Sequence, residues 1–105
     1  MAAYSVFQNP NSRTNIAVPF LLEVQSELLS SLGTRVVVPL YRPEAAHVQA
    51  MSRLTPIVQF QGQPLVAMVP ELAGLSRRDL GAPAGELAAA RADILQAIDL
   101  LVTGF

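Results

Sequence analysis

Only the C-terminal end of this chain carries a sustained helical repeat. From Glu86 to Val102 apolar residues recur three or four apart, at Leu87, Ala90, Ile94, Ile98 and Leu101, with Phe105 continuing the series. That spacing places them on one stripe of a helix. Leu95 and Val102 widen the stripe, and Glu86, Asp93, Gln96 and Asp99 fall mostly on the remaining face. Ala88 to Ala90 raise helix propensity, and Glu86 suits a first turn through the helix dipole. Gly104 accepts the left-handed conformation and can end the helix. A helix with one apolar stripe needs a surface to cover.

The rest of the chain supplies strands. Tyr4 to Gln8 reads as the first, with Tyr4 and Val6 on one face and Phe7 on the other. Asn9 to Asn15 ("NPNSRTN") is a loop dense in turn formers. Ala17 to Gln25 reads as a strand with Pro19 near its start. Ser26 to Thr34 is a short helical turn or a loop, with Leu28 and Leu29 adjacent and not both easily buried. Arg35 to Leu40 ("RVVVPL") is β-branched and the best strand of the chain, stopped by Pro39. Tyr41 to Leu54 is a loop or short helix. Ile57, Val58 and Phe60 lead into a hairpin that turns at Gln61-Gly62-Gln63 and returns from Leu65 to Val69. Ala73 to Gly85 is a loop, or a short strand after Leu75. These readings predict a single domain over residues 1–105, mainly β with a C-terminal α-helix: a small curled sheet or barrel closed on one side by the helix.

Composition narrows the function. Hydrophobic residues make up 51% and charged residues 14% of 105 residues. That is apolar for a small monomer, and the surplus surface predicts a homodimer. Seven arginines, no lysine and eight acids give a net charge of -1, which argues against electrostatic binding to nucleic acid or an acidic membrane. Without cysteine there are no disulfides and no thiolate chemistry. No run of 18 apolar residues and no basic-then-apolar leader is present, so the expected location is cytoplasmic.

Catalytic candidates are few. His47 with Glu44 makes an acid–base pair if their segment is helical; otherwise both are solvent-facing loop residues. Arg77-Arg78-Asp79 is either an anion clamp or a solvated charge cluster. No phosphate loop, nucleophile triad or metal-ligand spacing occurs, and no cofactor is expected. The chemistry suits a binding module better than an enzyme.

The stretch Phe20 to Leu40, "FLLEVQSELLSSLGTRVVVPL", resembles CcdB-type toxins of toxin–antitoxin systems. An apolar strand runs into Glu23-Val24-Gln25-Ser26, a doubly apolar loop follows, and the next strand ends at Pro39-Leu40. Leu54 to Phe60 resembles the following strand, and the apolar-x-Gly-apolar ending resembles the family's functional tail. The likeness extends over about Tyr4 to Phe105.

The resemblance implies an SH3-like small β-barrel of the CcdB/Kid type, with a long C-terminal helix, forming a homodimer. It implies a non-enzymatic toxin, typical of plasmid maintenance. Such a toxin inserts between the arms of the DNA gyrase A subunit dimer and traps the gyrase–DNA cleavage complex. A CcdA-type antitoxin neutralises it, and DNA is met only indirectly. By position, the gyrase-binding residues are Leu28, Leu29, Asp99, Val102, Thr103, Gly104 and Phe105, and the antitoxin-binding residues are Leu65, Val66, Ala67 and Met68. Thr103 stands where the family's best-known form has a Trp anchor, a loss worth on the order of 2 kcal/mol. The alternatives are an endoribonuclease toxin of the same fold, using Arg42, Glu44, His47 and Arg53, or a degenerate non-toxic homologue.

Overall fold

The computed structural model describes residues 4–24, 33–46 and 53–104. Seven strands form among the described residues: β1 (Ser5–Gln8), β2 (Phe20–Glu23), β3 (Thr34–Tyr41), β4 (Ile57–Phe60), β5 (Gln63–Ala67), β6 (Ala73–Ser76) and β7 (Pro83–Glu86). Among the described residues one α-helix, α1 (Arg91–Thr103), follows them. All strand pairings are antiparallel, in the order β4-β5-β3-β2-β1-β7, with β6 also on β3.

β3 organises the sheet because it has three partners. One edge pairs with β2 from Val37 to Leu40. The other pairs with β6 from Thr34 to Val37, then with β5 at Leu40 and Tyr41. Pro39 does not stop this strand. In an antiparallel ladder the N–H and C=O of a residue point to the same edge. The Pro39 carbonyl accepts from the Met68 N–H (3.0 Å), so its missing N–H falls where β3 changes partner from β6 to β5. No ladder bond is lost, and the change of partner curls the sheet.

Alternation sorts the side chains onto two faces. Val6, Leu22 and Val38 lie in register across β1, β2 and β3, all fully buried. They join Leu40, Val58, Phe60, Leu65, Val69, Leu87, Ile94 and Ala97 in the main core. The opposite face carries Val18, Leu21 and Val37 as a second, smaller cluster. The end strands β4 and β7 approach without pairing. The Phe60 ring packs edge-on against Phe20 (centroids 5.0 Å) and close to Gly85, and the Gln61 side-chain amide donates to the Ala84 carbonyl (3.3 Å). The result is a curled half-barrel, mainly β, with one C-terminal helix across its open side.

Three further sequence expectations need correction. The strand expected from Ala17 begins only at Phe20, because Ala17 and Val18 belong to the preceding loop: the Val18 N–H bonds back to Thr14. The segment expected to be mostly loop, Ala73 to Gly85, contributes β6 and β7. The helix begins at Arg91, after a 3-10 turn at Ala88–Ala90. Glu86 is the last residue of β7, opposite Ser5, and its carboxylate accepts from the Ala88 N–H (2.7 Å). The Leu87 N–H goes to the Tyr4 carbonyl (2.8 Å), so strand pairing delays the helix despite the favourable alanines. Among the described residues no helix is long and apolar enough to cross a membrane.

Candidate partner-binding surface at the helix end

α1 holds its inner face through Ile94 and Ala97, both fully buried, with Ala90 and Ile98 partly buried against the same core. The apolar stripe is therefore narrower than its sequence pattern suggests. Leu95 and Leu101 are about two-fifths exposed, and Val102 is 76% exposed. Leu95, Asp99 and Val102 lie at i, i+4 and i+7, on one outward face. Most of this band consists of apolar side chains facing water on a helix whose inner face is already packed. This face is the candidate for a partner-binding surface.

The tail has a defined geometry. The Thr103 hydroxyl donates back to the Asp99 carbonyl one turn earlier (2.7 Å), so the hydroxyl is satisfied within the helix. Gly104 has φ 78° and ψ 14°, and its N–H donates to the Leu100 carbonyl (2.9 Å). The left-handed cap stops the helix and turns the chain away from its axis, as the sequence predicts. The structure thus groups Asp99, Val102, Thr103 and Gly104, all exposed, at one end of the molecule. Leu28, Leu29 and Phe105 lie outside the described residues. Leu95 belongs to this face, and Leu101, also exposed, lies about 120° round the helix from it; sequence periodicity assigns both to packing. Periodicity shows that residues share a stripe and does not show where the stripe leaves the core.

The four hairpin residues Leu65, Val66, Ala67 and Met68 are all buried. Leu65 and Ala67 face the main core, while Val66 and Met68 pack with Ala46 and Tyr41. Their side chains do not form a surface. The hairpin instead exposes Ile57 (63% exposed), Gln59 and Gln61.

The charged cluster considered for RNA cleavage does not assemble among the described residues. Arg42 is held by the Ile16 carbonyl (2.9 Å) and Gln63 (3.3 Å). Glu44 is exposed on the 3-10 turn Pro43–Ala45, and Arg53 lines a separate cleft with Ile57, Asp93 and Gln96. His47 lies outside the described residues. No group of three or more metal-ligating side chains occurs among the described residues.

One buried polar pair was not anticipated from sequence. Glu23 and Arg35 form an ion pair (3.2 Å) with both side chains nearly buried, beside Phe7, Leu80 and Arg77. Burial pushes the Glu23 carboxyl above its ordinary range, and the Arg35 guanidinium opposes that rise.

A family model described as CcdB protein matches residues 3–104. The chain belongs to the CcdB family. This family comprises toxins of toxin–antitoxin modules, so the resemblance seen in Phe20 to Leu40 holds over essentially the whole chain. No curated protein shows significant similarity to it. Among solved structures, the fold is similar to one titled "Endoribonuclease in complex with its cognate antitoxin from Mycobacterial species". The TM-score is 0.73 at 12% identity, over 98% of this chain and 95% of that one. At that identity the likeness speaks for the fold, and it agrees with the half-barrel and helix of the CcdB/Kid type.

Proposed function

We propose that this protein is the toxin of a type II toxin–antitoxin module. As a homodimer it binds the DNA gyrase A subunit and traps the gyrase–DNA cleavage complex, catalysing no reaction itself. The contact is the helix end: Asp99, Val102, Thr103, Gly104 and Phe105, with Leu28 and Leu29 from the loop. The observation that carries this reading is the exposed apolar pair Leu95 and Val102 on one face of the helix, followed by a left-handed Gly104. A twofold dimer presents two copies of such a band to a twofold target. Family membership supports the reading. A CcdA-type antitoxin neutralises the toxin by ordering against the β4–β5 hairpin.

The test is induction of the gene in a gyrase-sensitive host, with a DNA-cleavage assay on purified gyrase. Growth arrest and accumulated cleavage complex are expected. Normal growth with no cleavage would sink the proposal. Deleting Thr103 to Phe105 should abolish poisoning and leave the melting temperature unchanged; loss of stability instead would assign the tail to packing.

The solved structure titled as an endoribonuclease supports a second reading, RNA cleavage. The engagement of the Arg42 guanidinium by Ile16 and Gln63, and the absence of Arg42 and Glu44 from the cleft that Arg53 lines, speak against it. RNA cleavage by the purified protein that is lost in His47→Ala and Arg53→Ala would favour it over gyrase poisoning.

A further inference from the structure

A cleft of about 680 Å³ opens on the sheet face opposite the helix. Its floor is apolar, formed by Val18, Leu21, Pro39 and Leu75. One wall is the loop from Asn9 to Thr14, and the other is Arg78 and Asp79 on the short turn Arg77–Asp79. The loop wall is saturated internally. The Asn9 amide donates to Thr14 and to the Val18 carbonyl, and the Asn9 and Asn11 side-chain oxygens accept backbone N–H groups. The opposite wall differs. Arg77 and Arg78 are exposed, and neither guanidinium has a hydrogen bond or ion pair with any described residue. A second cleft, about 450 Å³, continues past Arg78 along Gly33, Ser76 and Arg77. Asp79 offsets one of the two charges, leaving a net positive ridge beside an apolar floor.

We propose that this cleft binds an extended segment of a partner protein in which an apolar side chain is followed within one or two residues by a carboxylate. The apolar side chain covers Leu21, Pro39 and Leu75, and the carboxylate pairs with Arg78 or Arg77. A nucleic-acid strand fits less well. No aromatic side chain lines the cleft for base stacking, Asp79 repels phosphate, and the chain carries net negative charge. The proposal goes beyond the gyrase reading and uses no residue of the helix end.

The test is a titration of the ¹⁵N-labelled full chain with acetyl-Gly-Leu-Val-Glu-Asp-Gly-amide, followed by amide chemical shifts. A control peptide carries two lysines in place of the acids. Saturable shifts at Leu21, Leu75 and Arg78 are expected, at a dissociation constant of roughly 1 mM. Arg78→Glu should weaken binding about tenfold, and Asp79→Asn should tighten it about twofold, since both changes act through charge on an exposed rim. Both variants should keep the wild-type spectrum elsewhere. Absence of saturable shifts, equal binding of the lysine peptide, or insensitivity to both variants would overturn the proposal. Tighter binding of an oligothymidine at the same amides would overturn it in favour of nucleic acid.

Discussion

At the residue scale, two polar contacts show how burial and partnership set stability. Glu23 and Arg35 are both nearly buried and 3.2 Å apart, and Arg35 also donates to the Thr34 carbonyl (3.0 Å). Taking one partner away removes the ion pair from a charge that is still largely buried. Glu23→Leu should therefore destabilise the fold by about 3 kcal/mol, read by urea unfolding. The double variant Glu23→Leu with Arg35→Leu should recover most of that loss. If the two losses simply add, the pair is not the cause. The Tyr41 hydroxyl donates to Glu71 (2.5 Å), and this bond, with burial and the Glu71 charge, pushes the phenol up to about 12 from an ordinary value of 10.0. The folded state thus favours the protonated phenol. The resulting stability is fully present below the unfolded value and is lost as pH rises toward about 12. As pH rises from the ordinary value of 10.0 towards about 12, the melting temperature of the wild type should fall relative to Tyr41→Phe. Parallel profiles for the two proteins would remove Tyr41 from the account.

At the scale of elements, α1 has two faces with different duties, and substitutions should separate them. Ile94 is fully buried in the main core, so Ile94→Ala should cost about 3 kcal/mol in chemical unfolding. Val102 is 76% exposed, so Val102→Asp should leave stability within about 0.5 kcal/mol and still abolish poisoning of gyrase. A Val102→Asp variant that melts well below the wild type would assign the band to folding. The strands tell a similar story of uneven legibility. β3 and the β4–β5 hairpin were plain in sequence because their residues are β-branched and apolar and the turn contains Gly62. β6 and β7 were not. Their residues, "AGLS" and "PAGE", have little strand propensity, and each is a strand because β3 or β1 offers an open edge. The connection between them runs so close to β1 that a Cβ at Gly81 would lie 2.4 Å from the Gln8 carbonyl oxygen. No local pattern announces such an approach.

At the scale of the whole molecule, the question is where the apolar surplus goes. The half-barrel and helix bury Val6, Leu22, Leu40, Leu65 and Ile94 completely, yet Ile16, Ile57, Leu101 and Val102 stay exposed. A 51% hydrophobic chain of this size, with such residues outside, should associate. Light scattering after size exclusion should give twice the monomer mass at micromolar concentration. A monomer at every concentration up to about 100 μM would contradict the proposed homodimer, because a standard-size interface holds well below that range.

The sequence by itself determined the class of fold, the position of the helix stop at Gly104 and the family, because these rest on local pattern: β-branched runs, helical spacing, a glycine that tolerates positive φ, and the block from Phe20 to Leu40. Tertiary structure alone decided that Leu95 and Val102 face water while Ile94 and Ala97 are buried. It also decided that Leu65 to Met68 are all buried, that Glu23 meets Arg35, and that Arg78, exposed, stands beside an apolar cleft without a partner for its guanidinium among the described residues. Each of these depends on which surfaces meet across strands far apart in the chain, and periodicity along one segment carries no information about its neighbours.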